Sequence, residues 1–210
     1  EIAPRWLEAS RTDNGLFCPH LDRQWHVKSA EPVTLVSQTR LIYNFATAWK
    51  LTGDLAYQEA VSRGADALLR FFGSDKAGAW RWSVHLDGRA ADERRNAYGH
   101  AFVIFGLSHA AAATGDDGYR EAALVTVRYV FDAFRDAVGG LKPALDADGR
   151  EIDPGRTQNP IMHLFEALLA LSFEVGEEEG RSRAAEVGNW VMTRLIRSDG
   201  LLPEMYARDW

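Results

Sequence analysis

The stretch AFVIFGLSHAAAATGDDGY (101–119) decides the fold, because it joins an apolar helix to a second helix through a Gly-acid turn. Its first part carries apolar side chains almost all round, which is typical of a helix that is buried on every side. Gly115 suits a left-handed helix C-cap, and the following Asp116 suits the N-terminus of the next helix. The stretch therefore predicts a helical hairpin whose first helix lies inside the protein.

The same turn occurs three times at a nearly constant spacing. The copies are KLTGDLAY (50–57), AATGDDGY (112–119) and FEVGEEEG (173–180). Their glycines are 62 and 61 residues apart, and a second set, Gly78, Gly140 and Gly200, is separated by 62 and 60 residues. Two markers with the same period predict a repeat of about sixty residues.

Each repeat is predicted to contain a buried inner helix and an amphipathic outer helix. The inner helices are expected near 34–51, 96–113 and 158–175, and the outer helices near 55–72, 117–135 and 179–197. Short segments that end in Asp-Gly, such as GAWRWSVHLDGR (78–89), indicate β-hairpin excursions between them. The sequence thus predicts an all-α toroid of helical hairpins, with about seven helices in a single domain over residues 1–210.

Composition excludes several classes of protein. With 46% hydrophobic residues the 210-residue chain can form a core, and a net charge of -6 without a basic cluster argues against nucleic acid or an anionic membrane surface as partner. The single cysteine, Cys18, excludes an internal disulfide and a metal cluster of the cysteine type. No apolar run is long enough to cross a bilayer. We expect a cytoplasmic protein with a small, neutral ligand.

One inner helix carries a polar stripe. In RTQNPIMHLFEALLAL (156–171), Asn159, His163 and Glu166 follow one another at spacings of four and three, which places them on one helix face. Burial of polar groups without partners is costly, so this face is a candidate binding site. The alternative is a core histidine held by Glu166.

Three motifs in this order resemble one known family. They are QTRLIYNFATAWKLTGD, NAYGHAFVIFGLSHAAAATGD and QNPIMHLFEALLAL, with D-x-D-G-R turns between them. The order resembles the N-acylglucosamine 2-epimerase family, whose relatives include cellobiose 2-epimerases, mannose isomerases and sulfoquinovose isomerases. The similarity runs from about Trp6 to Trp210. It implies an (α/α)6 barrel with a sugar site at one mouth, in agreement with the toroid, and this chain would be about the first half.

The resemblance also implies roles for individual residues. Arg40 and His163 are the expected catalytic residues: the arginine would steady charge on an enediolate, and the histidine would assist ring opening. Tyr98, Asn159 and Glu166 are expected to bind substrate, with Glu166 orienting a histidine or closing the hydrogen-bond network. The alternatives are an ion-pair partner for a nearby acid in the case of Arg40 and a packed aromatic in the case of Tyr98.

The implied activity is sugar epimerisation or isomerisation through ring opening and an enediolate, with no cofactor and no metal. Family members are about twice as long as this chain, and the two histidines usually assigned to proton transfer lie beyond Trp210. We therefore expect the complete barrel to be an isomerase, whereas the 210 residues alone bind sugar weakly at best and turn none over. The missing half would be further chain or, in a homodimer, a second copy.

Two other functions stay open at this stage. The first is a non-catalytic half barrel that binds carbohydrate or serves a structural role. The second is an α/α-barrel glycoside hydrolase, which needs paired carboxylates and would have to use Asp87, Asp92 or Asp148. Trp80 and Trp82 could form a stacking platform for sugar rings or belong to the core.

Overall fold

The computed structural model describes residues 2–28 and 32–210. Seven α-helices lie in these ranges, as the sequence predicted: α1 (Ile2–Ser10), α2 (Leu35–Thr52), α3 (Leu55–Ala67), α4 (Ala97–Thr114), α5 (Asp117–Tyr129), α6 (Asn159–Val175) and α7 (Glu178–Trp190). The outer helices α3, α5 and α7 each continue into a π-helical turn, at Leu68–Phe72, Val130–Phe134 and Val191–Leu195. None of the helices in the described ranges is long and apolar enough to span a membrane.

All three hairpin turns have the predicted left-handed glycine, and two of them have a capping aspartate, whereas Glu177 of the third makes no side-chain cap. The C-cap glycines Gly53, Gly115 and Gly176 all adopt the left-handed conformation, with φ of 70°, 74° and 79°. Asp54 and Asp116 then cap the next helix, because each side chain accepts a hydrogen bond from a backbone N–H of its first turn. These turns bring each outer helix back along the inner helix that precedes it.

Short antiparallel strand pairs connect the repeats. The strands are β1 (Val33–Thr34), β2 (Ser83–Val84), β3 (Ala90–Asp92), β4 (Arg95–Asn96), β5 (Ala144–Leu145), β6 (Arg156–Thr157) and β7 (Met205–Tyr206). Each strand that leads into an inner helix pairs with the strand that follows the next outer helix, as β1–β2, β4–β5 and β6–β7. The pair β2–β3 forms a hairpin around Asp87-Gly88. This pairing gathers the excursions beside the N-terminal ends of the inner helices.

In the second glycine set, the left-handed backbone conformation falls on Gly139 and not on Gly140. In these turns the glycines with positive φ are Gly78, Gly139 and Gly200, at 77°, 101° and 83°. They are 61 residues apart in both steps, so Gly139 rather than Gly140 occupies the left-handed position. Gly140 meets a different requirement. A Cβ atom there would lie 2.2 Å from the Trp210 ring, so only glycine fits beneath that tryptophan.

The inner helices pack side by side, with α4 between α2 and α6. Ile42 and Ile104 occupy equivalent positions on α2 and α4 and are fully buried, whereas the equivalent Phe165 of α6 is only half-buried. Likewise Met162 is 43% exposed, although the equivalent Ala101 is 1% exposed. In the described ranges α6 has an inner-helix neighbour on one side only, so its other flank is an open edge of the helical layer.

Candidate functional site

Arg40, Phe102 and His163 occupy equivalent positions on α2, α4 and α6, and the structure brings them together. The Arg40 guanidinium lies 4.6 Å from the centroid of the Phe102 ring. The Phe102 and His163 rings are 4.9 Å apart. The period of the repeat therefore puts a cation, an aromatic ring and an imidazole in one layer on the inner face of the helices.

Tyr98 joins this layer from the first turn of α4. Arg40 donates a hydrogen bond from Nη2 to the Tyr98 hydroxyl oxygen at 3.1 Å, and the Tyr98 ring meets the His163 ring edge-on at 5.0 Å. Because a guanidinium can only donate, the hydroxyl accepts this bond and keeps its own proton. Tyr98 can thus donate to another oxygen.

His163 and Glu166 form a hydrogen-bonded pair. The distance from His163 Nδ1 to Glu166 Oε2 is 2.8 Å. An ionised carboxylate can only accept, so Nδ1 carries the proton and Nε2 is left without a partner among the described residues. The imidazole side chain is 20% exposed and the carboxylate 56% exposed. Glu166 thus holds the histidine in one tautomer and orientation.

Arg40, Phe102, His163 and Glu166 open onto a cavity of about 300 Å³, a size typical of small-ligand sites, whereas Tyr98 contacts two of these residues but is not part of the cavity lining. The residues that line it are Arg40, Tyr43, Asn44, Ala101, Phe102, Phe105, His163 and Glu166. Asn44 was not found from the sequence, although its position four residues after Arg40 on α2 is the signal that could have revealed it. The cavity combines apolar rings with a few polar groups from three helices.

Asn159 is not among the residues that line this cavity. It is the first residue of α6, one turn before His163. Its Oδ1 is buried and accepts no hydrogen bond in the described part of the chain. An unpaired buried acceptor is costly, so Asn159 has a free oxygen for a hydroxyl donor, but it sits at the margin of the site rather than inside it.

Trp80 does not form a stacking platform for sugar rings. Trp80 is 5% exposed, and its Nε1–H donates to Thr126 Oγ1 at 2.9 Å, so of the two alternatives it is a core residue and not a sugar platform. The Trp82 ring packs against Gly99, at 3.2 Å from where a Cβ atom would lie. His100 is fully buried and accepts the Trp80 backbone N–H at Nε2, which makes it a structural residue.

The carboxylates of the excursions are engaged by neighbouring arginines. Asp87 accepts hydrogen bonds from the backbone N–H and the side chain of Arg89, and Asp92 accepts one from the Arg94 side chain at 2.8 Å. These hydrogen bonds lower the pKa of both carboxyl groups. A general acid needs a raised pKa, so these groups are poor candidates for glycoside hydrolysis. No cluster of three metal-ligating side chains occurs within residues 2–28 and 32–210.

The geometry agrees with comparisons to known proteins. Residues 15–210 match the family model for N-acylglucosamine 2-epimerase (GlcNAc 2-epimerase). The chain is 34% identical over 182 residues to a D-mannose isomerase from Marinomonas mediterranea and 27% identical over 185 residues to a cellobiose 2-epimerase from Bacteroides fragilis. These alignments cover 84% and 81% of this chain but only 45% and 46% of the relatives.

The solved structure of cellobiose 2-epimerase from Spirochaeta thermophila is also similar, with a TM-score of 0.90 and 25% identity. The match covers all of this chain and 54% of that one, so the seven helices correspond to about half of an (α/α)6 barrel. The chain spans about half the length of the curated relatives it matches. On its repeat, its helical layer and a family match over residues 15–210, the chain belongs to the N-acylglucosamine 2-epimerase family.

Proposed function

We propose that this chain forms one wall of the sugar site of a carbohydrate isomerase, which acts by 2-epimerisation of an aldose or by aldose–ketose isomerisation. The observation that carries the proposal is the unbroken series of contacts from Arg40 through Tyr98 and His163 to Glu166. All of these residues except Tyr98 line one cavity. A fixed cation, a hydroxyl, an imidazole and a carboxylate suit a small polyhydroxy carbonyl compound. They require no cofactor for binding it.

Arg40 is proposed to stabilise the enediolate. In the described part of the chain its guanidinium donates to the neutral Tyr98 hydroxyl, and no carboxylate forms a salt bridge with it. Its positive charge is therefore not neutralised by a neighbouring acid, which supports the binding role over the ion-pair alternative. A guanidinium stays charged and presents several donors, so it can hold an oxygen on which negative charge develops.

His163 is proposed to move protons during ring opening. Its Nδ1 is occupied by Glu166, so proton transfer to or from the sugar falls to Nε2. Histidine suits this work because its ordinary pKa lies near neutral pH. Glu166 acts as a positioning residue, because it sets the tautomer without having to touch the sugar.

Tyr98 and Asn159 are proposed to bind sugar hydroxyl groups. The Tyr98 hydroxyl accepts from Arg40 and keeps a proton for a sugar oxygen. The buried Asn159 Oδ1 has an open acceptor position at the N-terminus of α6. Together they would hold the substrate at the excursion side of the cavity, where the inner helices begin.

The proposal assigns binding and ring opening to this chain, and proton transfer at the second carbon to residues outside it. Residues 1–210 would act as one partial-barrel domain that is completed by further chain or by a second copy. The chain alone should then place no deuterium on D-mannose in deuterated water, whereas the D-mannose isomerase from Marinomonas mediterranea serves as the positive control. Deuterium at the second carbon above a no-protein control would show that the residues present suffice.

Binding tests the proposal directly. Arg70 is a matched control for Arg40, because its guanidinium also stacks on an aromatic ring, at 4.9 Å from the Phe71 centroid, but lies outside the cavity. In ¹H–¹⁵N chemical-shift titrations with D-mannose, Arg40→Ala should weaken binding at least about tenfold, which corresponds to a lost charged hydrogen bond. Arg70→Ala should bind like the parent. Equal weakening in both variants, or no binding by the parent, would contradict the proposal.

A further inference from the structure

Two cavities lie one below the other along the inner face of α2. The upper one is the sugar cavity described above. The lower cavity has a volume of about 470 Å³, and Lys50, His109 and Glu174 are among the residues that line it. Arg40 and Lys50 are ten residues apart, about 15 Å along the helix, and Tyr43 lines both cavities.

Three aromatic rings separate the cavities, and we call them the ring floor: Tyr43, Phe105 and His109. The ring centroids are 4.7 Å apart for Tyr43–Phe105, 4.8 Å for Tyr43–His109 and 4.6 Å for Phe105–His109. Phe105 lines the upper cavity and His109 the lower one. Because each ring contacts the other two, the floor is a closed cluster rather than a single side chain.

The floor lies one helical turn below the layer that is proposed to bind the reacting carbon. Tyr43 follows Arg40 by three residues on α2, and Phe105 follows Phe102 by three on α4. Three residues of α-helix rise about 4.5 Å. The space beneath the reacting carbon is therefore shallow, and its base is made of packed rings.

We propose that Tyr43 determines substrate specificity, because its ring restricts the sugar cavity to hexoses that carry a hydroxyl rather than an N-acyl group at the second carbon. The inference rests on the proposed function: Arg40 stabilises an enediolate, whose oxygens are on the first and second carbons, so the second carbon lies beside Arg40. In the orientation that we propose, the substituent on that carbon points toward the floor, which lies one helical turn away. A hydroxyl fits there, whereas an N-acetyl group is much larger and would press on packed rings.

The bulk of the Tyr43 ring, rather than its hydroxyl, provides this restriction. The hydroxyl forms no hydrogen bond with the described residues, whereas the ring packs against both other members of the floor. Below the floor, Lys50 Nζ and Glu174 Oε2 form an ion pair at 3.2 Å, so each of these charges is neutralised by the other. Truncation of Tyr43 to alanine would join the two cavities and make room for an acyl group.

The test compares the Kd values of D-mannose and N-acetyl-D-mannosamine in ¹H–¹⁵N titrations of the parent and four variants. The parent should bind D-mannose at least about tenfold more tightly than the N-acetyl sugar, and this ratio corresponds to 1.4 kcal/mol. Tyr43→Ala should bring the two Kd values within about threefold of each other, chiefly by tighter binding of the N-acetyl sugar. Tyr43→Leu is a smaller change and serves if the alanine variant does not fold. It should also bring the two Kd values closer together.

Two controls limit the interpretation. Tyr43→Phe keeps the ring and should keep the discrimination. Thr47→Ala enlarges only the lower cavity, because Thr47 lines that cavity and not the upper one, and it should also leave the ratio unchanged.

The outcomes separate this inference from the proposed function. If the parent binds D-mannose but binds the N-acetyl sugar equally well, or if Tyr43→Ala and Tyr43→Leu keep the full ratio, the inference is wrong and the proposed function stands. Loss of discrimination in Tyr43→Phe or Thr47→Ala would also overturn it. If the parent binds neither sugar, both are wrong.

Discussion

Protonation of His100 should make the fold sensitive to mildly acidic pH. His100 is fully buried: its Nδ1–H donates to the Asn96 carbonyl oxygen at 2.8 Å, and its Nε2 accepts the Trp80 backbone N–H at 3.1 Å. These two hydrogen bonds need a neutral ring, because a protonated imidazole has no nitrogen that can accept a hydrogen bond. Burial, reinforced by the charge of Arg95, lowers its pKa from 6.5 to about 4.

The sign and size of the effect follow from linkage. Because the pKa is lower in the folded state than in the unfolded chain, the unfolded chain binds the proton more readily between pH 6.5 and about 4. The contribution of neutral His100 to the free energy of unfolding is fully present above pH 6.5 and is lost as the pH falls through this window. The loss attributed to His100 is about 2 kcal/mol between pH 7 and pH 5, and about 3 kcal/mol by pH 4.

Urea unfolding at pH 7 and pH 5 measures this loss, and His100→Gln should remove most of it even though the variant is less stable at both pH values. Burial also lowers the pKa of His109, so His109→Gln is the matched control and should keep the larger part of the pH dependence. Should His100→Gln lose as much stability between pH 7 and pH 5 as the parent, the assignment to His100 is wrong. A protonated His100 ring at pH 5 in NMR spectra of the parent would refute it independently.

Two further predictions concern stability at neutral pH and are measured by urea unfolding. Gly78 and Gly115 both have positive φ, but a Cβ atom on Gly78 would lie 2.5 Å from the Val125 carbonyl oxygen while one on Gly115 would meet nothing within 4 Å. Gly115→Ala should therefore cost about 1 kcal/mol and Gly78→Ala distinctly more, and equal costs would contradict the close-contact argument. Trp80→Phe removes the bond to Thr126 and should cost about 1–3 kcal/mol, whereas an unchanged stability would show that this buried bond contributes nothing.

The helical layer was predictable from the sequence because its signals are local and repeated. The Gly-acid turns and the all-apolar inner helices located each hairpin to within a few residues, and the family resemblance agreed with them. The position of the left-handed glycine was not predictable, because Gly139 and Gly140 are adjacent and only the packing of Trp210 over Gly140 distinguishes them.

The candidate site was predictable in part for the same reason. Arg40 and His163 are 123 residues apart, which is two repeat periods, so the repeat alone is enough to place them at equivalent positions on inner helices. The positions of the other candidate residues depend on tertiary contacts, which the sequence pattern does not show. Trp80 looked suitable for a sugar platform until its bond to Thr126 placed it in the core, and the side-chain spacing on α6 could not show that Asn159 lies outside the cavity lining.

The most direct test of the proposed sugar site is a crystal structure of the chain with D-mannitol, an open-chain hexitol that resembles the ring-opened sugar. Density for the hexitol should lie in the cavity between α2, α4 and α6, with one hydroxyl oxygen within hydrogen-bond distance of the Arg40 guanidinium and another near His163 Nε2. Density only elsewhere on the protein, or a hexitol that contacts neither Arg40 nor His163, would show that this cavity is not the sugar site.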